Sequence, residues 1–479
     1  MNGGGPMDLT HNIIPETVGS VHLIAVCGTA MGALAAMLKQ AGYRVTGSDQ
    51  KVYPPMSDFL RGQGIEIREG FGPHNLTPRP DLVVVGNAVS RDNPEVRAMV
   101  DAGLPFCSMP QALNHFFGRG RKTVVVAGTH GKTTTSSLMA WVLHDAGLDP
   151  TFMIGGILKN FDSNYRIGRG DYLVLEGDEY DTAFFDKGAK FFHYVPDYSV
   201  LTSVEFDHAD IFRDLDHVIS VFGRFVAMHR PGSVLVAWDA DARIDGLAGS
   251  CPGRVERYGT HDGSPWRLDA VKHKPPFIHF DVYKHGRLFG SFKSPLPGMH
   301  NLLNTLAVIA VADHLGIPAA TIGDALERFQ GVKRRQEIRG VRRGITVIDD
   351  FAHHPTAVRE TIRALKPFYP DGRLIAVFEP RTNSSMRDVF QNDYPHSFTD
   401  ADLVCIRKPP LLSKIPENHR FSSEKLVADL RMAGIDAHYF EDTEGIIAFV
   451  TQAARSGDAV LIMSNGGFDN IHSRLLDAL

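Results

Sequence analysis

The sequence predicts an α/β chain of three domains, and three observations carry that expectation. Short apolar runs ending in glycine or acidic turns alternate with stretches of helical apolar spacing, the pattern of parallel sheets covered by helices. The alternation restarts near Gly118 and again near Val332, dividing the chain into residues 1–117, 118–331 and 332–479. Finally, 479 residues with 43% hydrophobic content can fill more than one core.

The elements follow in order. Met1 to Thr17 is polar and Gly/Pro-rich, read as a flexible start without the cationic and apolar segments of a signal peptide. His22 to Val26 predicts a strand, Ala33 to Gln40 a helix ended by Gly42, and Arg44 to Asp49 a strand closing on an acid. This is the opening of a doubly wound, Rossmann-like domain. The turn Cys27-Gly28-Thr29-Ala30-Met31-Gly32 does not satisfy G-x-G-x-x-G, because Ala30 and Ala33 take the later glycine places. A dehydrogenase half and a domain holding a UDP-type nucleotide look alike at this level. Leu82 to Val85 is a further strand, and its polar sequel, Gly86 to Ser90, lies where such sheets take ligands. Gln111 to Phe117 is helix-like and closes the domain.

The second domain opens on Val124 to Ala127, an apolar run expected to be a buried strand. The loop Gly128-Thr129-His130-Gly131 follows, and Thr133 to His144 carries helical apolar spacing. Strand, glycine loop and helix in that order aim backbone N–H groups and the positive helix end at a phosphate. Lys132 supplies a cation for the outer phosphates, and the Thr133 hydroxyl is positioned for Mg²⁺. Val126 occupies the first glycine place of the general P-loop pattern, so the loop is a shortened variant. It reads as an ATP site. Further strands are expected at Tyr172 to Glu176, Tyr198 to Val204 and Ser233 to Ala237. Trp266 to Lys293 alternates apolar and polar residues around a turn at His285-Gly286, an antiparallel hairpin. A long helix, Leu302 to Leu315, stops at Gly316 and Pro318. In the third domain, strands are expected at Ile345 to Asp349, Arg373 to Phe378, Leu403 to Ile406 and Ala459 to Met463, with a helix over Thr356 to Leu365.

Composition narrows the function. A formal charge of −5 with short basic spots, Arg119 to Lys122 and Lys333 to Arg335, gives no footprint for nucleic acid. The first spot reads as a solvated linker. Cysteines 27, 107, 251 and 405 are scattered without C-x-x-C, so neither a disulfide framework nor a thiolate metal site is indicated. No apolar run reaches spanning length. Small-molecule partners, no membrane insertion and a cytoplasmic setting are expected.

Five constellations can carry chemistry. Glu176-Gly177-Asp178-Glu179-Tyr180-Asp181 ends a strand with four carboxylates, which repel one another unless solvated or neutralised by a cation. Thr202 to Asp210 ends another strand and places His208 between acids, as metal ligand, phosphate donor or surface residue. His300-Asn301-Leu302-Leu303-Asn304 precedes Arg334-Arg335; an amide can read adenine and an arginine can reach phosphate, although Asn304 could equally serve its own helix terminus. Asp349-Asp350-Phe351-Ala352-His353-His354-Pro355-Thr356 spans a strand-to-helix transition and can also cap that helix. Near the C-terminus, Ser464-Asn465-Gly466-Gly467 is a glycine turn, and Arg381 is a cation at a neighbouring strand end.

In order and spacing these motifs resemble the Mur ligase family, ATP-dependent amide-forming enzymes of peptidoglycan metabolism. The resemblance runs from His22 to Leu475 and includes the shortened ATP loop. It implies a Rossmann-like UDP-binding domain, a central P-loop ATPase domain and a C-terminal Rossmann-like α/β domain. It further implies that Lys132 contacts the β/γ-phosphates, that Thr133 and Glu176 hold one Mg²⁺, and that His208 holds a second. Gly128, Thr129, His130, Gly131 and Thr134 would complete the ATP loop. Asn304 and Arg335 would contact adenosine or its phosphates, and Asp350 would close on ATP. His353 and Arg381 would face the amine substrate. Gly28, Thr29, Ala30, Met31, Ser48, Asp49, Asn87 and Ser90 would hold the UDP-sugar. Segments such as Val52 to Ser57 and Glu179 to Lys187 resemble the branch that joins the tripeptide L-Ala-γ-D-Glu-meso-diaminopimelate to UDP-N-acetylmuramate in cell-wall recycling. The L-alanine-adding branch is the nearest alternative; a nucleotide-bound regulatory protein without turnover is the alternative of another class. Two departures stand out: Gly177 replaces an alanine, expected to change little, and Ser203 replaces an asparagine, which puts that hydrogen bond in question. The carbamoylated lysine of some relatives has no counterpart, because no lysine occurs between Lys190 and Lys272.

Overall fold

A computed structural model describes residues 9–479, organised around three large sheets and one two-stranded ribbon. Part of the start read as flexible, residues 1–8, lies outside the described residues. Residues 11 and 12 are tied down: Phe106 N–H donates to His11 O at 2.9 Å, and Asn12 Nδ2 donates to Phe106 O at 3.1 Å.

The first sheet contains β1 (Ser20–Ile24), β2 (Arg44–Asp49), β3 (Glu66–Glu69), β4 (Leu82–Val85) and β5 (Phe106–Ser108), ordered β3-β2-β1-β4-β5 with every pair parallel. β1 ends before Val26, because Ala25 turns into the left-handed region at φ 67°. The first helix, Thr29–Gln40, starts four residues earlier than expected, since its alanine-rich sequence sustains helix from the N-cap Gly28 onward. Thr29, Ala30 and Met31 therefore form a helical first turn. The segment expected as one helix over 111–117 is the short helix Met109–Leu113, opened by a Ser108–Gln111 capping box, followed by a wider turn over Asn114–Gly118. Arg121 is no solvated linker residue: its guanidinium donates to the carbonyls of Phe117, Gly168 and Gly170.

The second sheet has ten strands. They are β6 (Lys122–Ala127), β7 (Thr151–Leu158), β8 (Ser163–Arg166), β9 (Tyr172–Gly177), β12 (Tyr198–Leu201), β13 (Val234–Trp238), β14 (Arg254–Gly259), β15 (Trp266–Lys274), β16 (Phe277–Lys284) and β17 (Arg287–Ser294). The ribbon is β10 (Asp181–Ala183) and β11 (Asp186–Ala189). The order is β17-β16-β15-β14-β13-β12-β6-β9-β7-β8. Side-chain alternation along β6 explains its unbroken apolar run: Val124 and Val126 pack with Leu138 and Val142 of the helix Lys132–Asp145, and Val125 and Ala127 share a core with Phe222 and Phe225 of the helix Leu215–Ala227. Each of the buried valine, leucine and phenylalanine side chains contributes about 1.5–3 kcal/mol. The expected hairpin is a three-stranded antiparallel extension, β15 to β17, because alternation starts at Trp266 and the chain reverses at Pro275-Pro276 as well as at His285-Gly286.

The third sheet comprises β18 (Glu337–Arg342), β19 (Ile345–Asp350), β20 (Leu374–Phe378), β21 (Leu403–Arg407), β22 (Ala437–Phe440) and β23 (Ala459–Met463), ordered β18-β19-β23-β20-β21-β22. Only β18 is antiparallel. Among the described residues, no helix is long and apolar enough to cross a membrane.

Candidate active site at the strand ends of the central sheet

Register creates the site. Ala127 of β6 lies opposite Gly177 of β9 and Leu201 of β12, so three turns leave the sheet side by side. Two glycines make the first turn fit. Gly128 and Gly131 have φ 138° and 81°, and a Cβ at Gly131 would lie 2.7 Å from Asn304 Oδ1. Asn304 is thereby held against the loop. The helix Lys132–Asp145 begins immediately after, with Gly131 at its N-cap.

The charges then interlock. Lys132 Nζ donates to Gly128 O at 2.6 Å, Thr129 O at 3.3 Å and Glu179 Oε2 at 2.9 Å. Glu179 Oε1 lies 3.5 Å from His208 Nε2, so one buried carboxylate joins the loop lysine to the histidine of the third turn. Thr133 Oγ1 donates to Glu176 Oε1 at 2.8 Å, Gly155 N–H donates to Glu176 Oε2 at 2.7 Å, and Arg335 reaches Thr133 Oγ1 at 3.3 Å. Asp178 pairs with Lys190 at 2.9 Å, and the Lys190 ammonium also sits 4.1 Å over the Tyr180 ring.

Burial and the neighbouring Asp178 push the Glu176 carboxyl above its ordinary range. Burial opposes the ionised form of Glu179 as well, yet Lys132 and His208 hold it below that range. His208 is raised: burial works against its charge, and the Glu179 hydrogen bond with Asp207 nearby outweighs it. Glu176 is met by a hydroxyl and a backbone N–H, and Glu179 Oε1 faces His208 Nε2 at 3.5 Å. Oxygen donors in that state suit Mg²⁺.

The third domain closes over this edge. His353, Arg381 and Asn383 line a cavity of about 330 Å³ together with Asp207, His208 and Asp210. Arg381 lies across Gly466, where any Cβ would collide with its Cδ, so the glycine turn expected to be functional serves as the floor under that arginine. His353 Nε2 stands 3.8 Å from Asp207 Oδ2. Arg335 is half-buried and lies 4.9 Å from the Phe351 ring. Asp350 departs from expectation: its two oxygens accept the N–H groups of Gln336, at 2.8 Å, and Ala352, at 2.7 Å. It shapes the Arg335–Gln336 segment instead of reaching toward the loop.

The first-domain residues gather less fully. Gly28 and Thr29 start the first helix. Asp49 accepts from Cys27 N–H at 2.9 Å and Lys51 N–H at 3.1 Å, bracing the turn from behind. Asn87 and Ser90 are exposed beyond β4, and Met31 is buried. The Ser48 carbonyl accepts the Ala25 and Val26 N–H groups at the base of the turn, at 2.8 and 3.0 Å, but its side chain points away from it. It is fully buried and donates to Glu95 Oε1 at 2.8 Å, within a network that also contains His22 and Asn75.

Both departures have a physical reading. Ser203 Oγ accepts His130 N–H at 2.9 Å, so serine supplies a hydrogen bond to the loop. Gly177 is not neutral, since a Cβ there would sit 2.8 Å from Val125 Cγ1. Sequence reasoning missed Glu179 as a bridge, Lys190 as its neighbour's counter-charge, and Gly155. The only signal for Lys190 was a pair of lysines, Lys187 and Lys190, shortly after an unusually acidic turn.

Residues 20–121 match the Mur ligase family catalytic domain, 126–312 the Mur ligase middle domain, and 334–466 the Mur ligase glutamate ligase domain. The chain is 41% identical over 463 residues to the UDP-N-acetylmuramate–L-alanyl-γ-D-glutamyl-meso-2,6-diaminoheptandioate ligase of Escherichia coli (strain K12), covering 96% of this chain and 98% of the relative. It superposes on the crystal structure of a murein peptide ligase from Psychrobacter arcticus with TM-score 0.71 and 35% identity, covering 96% and 98% of the two chains. The UDP-N-acetylmuramate-alanine ligase of Thermotoga maritima gives TM-score 0.78 at 25% identity, with the same coverage.

Proposed function

The chain belongs to the Mur ligase family of ATP-dependent, amide-forming enzymes, and from that premise we propose that it joins the tripeptide L-Ala-γ-D-Glu-meso-diaminopimelate to UDP-N-acetylmuramate. The supporting observation is the shared wall: His208 belongs both to the Lys132–Glu179 charge cluster and to the cavity lined by His353 and Arg381. Nucleotide chemistry and a second substrate can therefore meet at one place. The two structural similarities rank the branches differently from the sequence. TM-score over several domains responds to their relative placement, whereas residues choose the substrate, so the 41% identity to the tripeptide ligase weighs more.

In this reading residues 1–117 hold the UDP-sugar, 118–331 hold ATP and 332–479 receive the amine. The muramyl lactate carboxylate attacks the γ-phosphorus of ATP, giving an acyl phosphate and ADP. The tripeptide amine attacks the acyl carbon, the C–O bond to phosphate breaks, the nitrogen loses a proton and inorganic phosphate departs. Lys132 and the loop N–H groups stabilise charge on the transferring phosphoryl group. Thr133 and Glu176 would hold Mg²⁺ with His208 at a second position, and Mg²⁺ bound there would offset repulsion between carboxylate and triphosphate. Arg335 and Asn304 orient the nucleotide; His353 and Arg381 orient the peptide, and enclosure between domains excludes water from the acyl phosphate. A cytoplasmic location matches both the ATP requirement and four free cysteines.

ADP release by the purified protein tests the proposal. With UDP-N-acetylmuramate present, turnover should require the tripeptide and be at least tenfold lower with L-alanine. Equal or faster turnover with L-alanine would reassign it to the other branch; no ADP with either amine would leave a binding protein.

A further inference from the structure

His130, Glu205 and His354 form, among the described residues, a group of potential metal ligands with donor atoms all within 4.8 Å of one another. His130 belongs to the nucleotide loop, and Glu205 and His354 lie beside it, apart from the Thr133–Glu176 pair. His130 Nε2 and His354 Nδ1 stand 3.3 and 3.7 Å from the same oxygen, Glu205 Oε2, and the two rings are 4.5 Å apart. Donors about 2.0–2.1 Å from a tetrahedral ion are separated by about 3.4 Å. The two histidine–carboxylate spacings are close to the edge of such a site.

Each ligand is oriented by a neighbour. His130 is anchored through its N–H to Ser203 Oγ, and Glu205 exchanges backbone hydrogen bonds with Thr129 Oγ1. Thr356 Oγ1 donates to Glu205 Oε2 at 2.7 Å. His354 Nε2 lies 3.1 Å from Phe206 O, a contact that fixes the proton on Nε2 and leaves Nδ1 as a lone pair. An imidazole that donates to a carbonyl on one side and offers its other nitrogen is how protein ligands to zinc are held. Thr356 N–H occupies that nitrogen at 3.2 Å; an ion would displace it, and water can serve a first-turn N–H.

We propose that His130, Glu205 and His354 bind a zinc-class transition-metal ion that clamps the third domain onto the nucleotide loop. Two nitrogens and one carboxylate select Zn²⁺ or Co²⁺ over Mg²⁺, which prefers oxygen. His130 and Glu205 come from the central domain and His354 from the third, so the ion favours the closed arrangement.

The test titrates full-length protein with Co²⁺ in saturating Mg²⁺ and ADP, conditions that fill the oxygen-lined position. One equivalent should develop the visible absorption of four- or five-coordinate Co²⁺ and be displaced by Zn²⁺. His354→Gln and Glu205→Gln should each weaken it tenfold or more, and His208→Gln should leave it intact; circular dichroism checks that the variants are folded. Zn²⁺ should also compact the wild-type protein in solution scattering and leave His354→Gln unchanged. Absence of the absorption overturns the proposal, as does its loss in His208→Gln with retention in His354→Gln. If His354→Gln does not fold, His130→Gln carries the same prediction.

Discussion

Two glycine turns invite comparison, one after β1 at Cys27 to Gly32 and one after β6 at Gly128 to Gly131. Both sit at the C-terminal end of a central parallel strand and open a helix, the arrangement that receives anions. Around the second, neighbouring strand ends deliver Lys132, Glu176, Glu179 and His208 into mutual contact. Around the first, Asp49 spends both oxygens on backbone N–H groups, and the buried side chains of His22 and Glu95 meet at 2.7 Å behind the sheet. A βα turn is thus a generic cradle. What chemistry it supports depends on which side chains the adjoining strands end with: in the proposed function the first turn holds the UDP-sugar's diphosphate and the second carries phosphoryl transfer.

The strongest way to break this contrast is Lys132→Ala. Ligation should fall by about 10²–10³-fold or more, while calorimetric binding of UDP-N-acetylmuramate stays within about twofold. Turnover close to wild type would remove the second turn from the chemistry.

The two regions should also differ in acid. Near the nucleotide loop, burial lowers His300 to about 4. On acidification the unfolded chain takes up this proton first, from about pH 6.5, so His300 costs no stability at pH 7 and progressively more down to pH 4. At about 1.4 kcal/mol per pKa unit the loss reaches about 3 kcal/mol. Thermal unfolding between pH 7 and 4 should therefore show a shallower decline in His300→Gln than in wild type; an identical slope would contradict it.

Glu179→Gln sharpens the comparison inside the second turn. Lys132 and His208 lose their common carboxylate, and kcat should fall about tenfold. The His208 ring, relieved of the charge that raises it, should titrate at lower pH by NMR. Asp49→Ala gives the smallest effect. It frees the Cys27 and Lys51 N–H groups and loosens the first turn, raising KM for the UDP-sugar about tenfold with kcat retained, because each net backbone hydrogen bond is worth about 0.5–1.5 kcal/mol.

The second turn was legible because its residues are contiguous: Gly128 to Thr133 announces strand, loop and helix within a dozen positions. Glu179 was not, since its partner Lys132 lies 47 residues away and the pairing depends on β6 and β9 ending in register. Ser48 was misjudged for a related reason. The Gly-Ser-Asp string points to a ligand, but alternation along β2 turns the serine inward to Glu95. Asp350 illustrates the same limit, because which N–H groups a strand-end acid captures is set by the path of a segment in the adjoining sequence. The antiparallel extension announced itself through alternation, while its second reversal, at two prolines, did not.

Oxygen tracing tests the central claim most directly. UDP-N-acetylmuramate carrying ¹⁸O in its lactate carboxylate is incubated with ATP, Mg²⁺ and tripeptide, and the released phosphate is examined by mass spectrometry or ³¹P NMR. Activation through an acyl phosphate at the second turn predicts one labelled oxygen transferred to inorganic phosphate for each amide bond formed. Unlabelled phosphate accompanying full amide formation would contradict it.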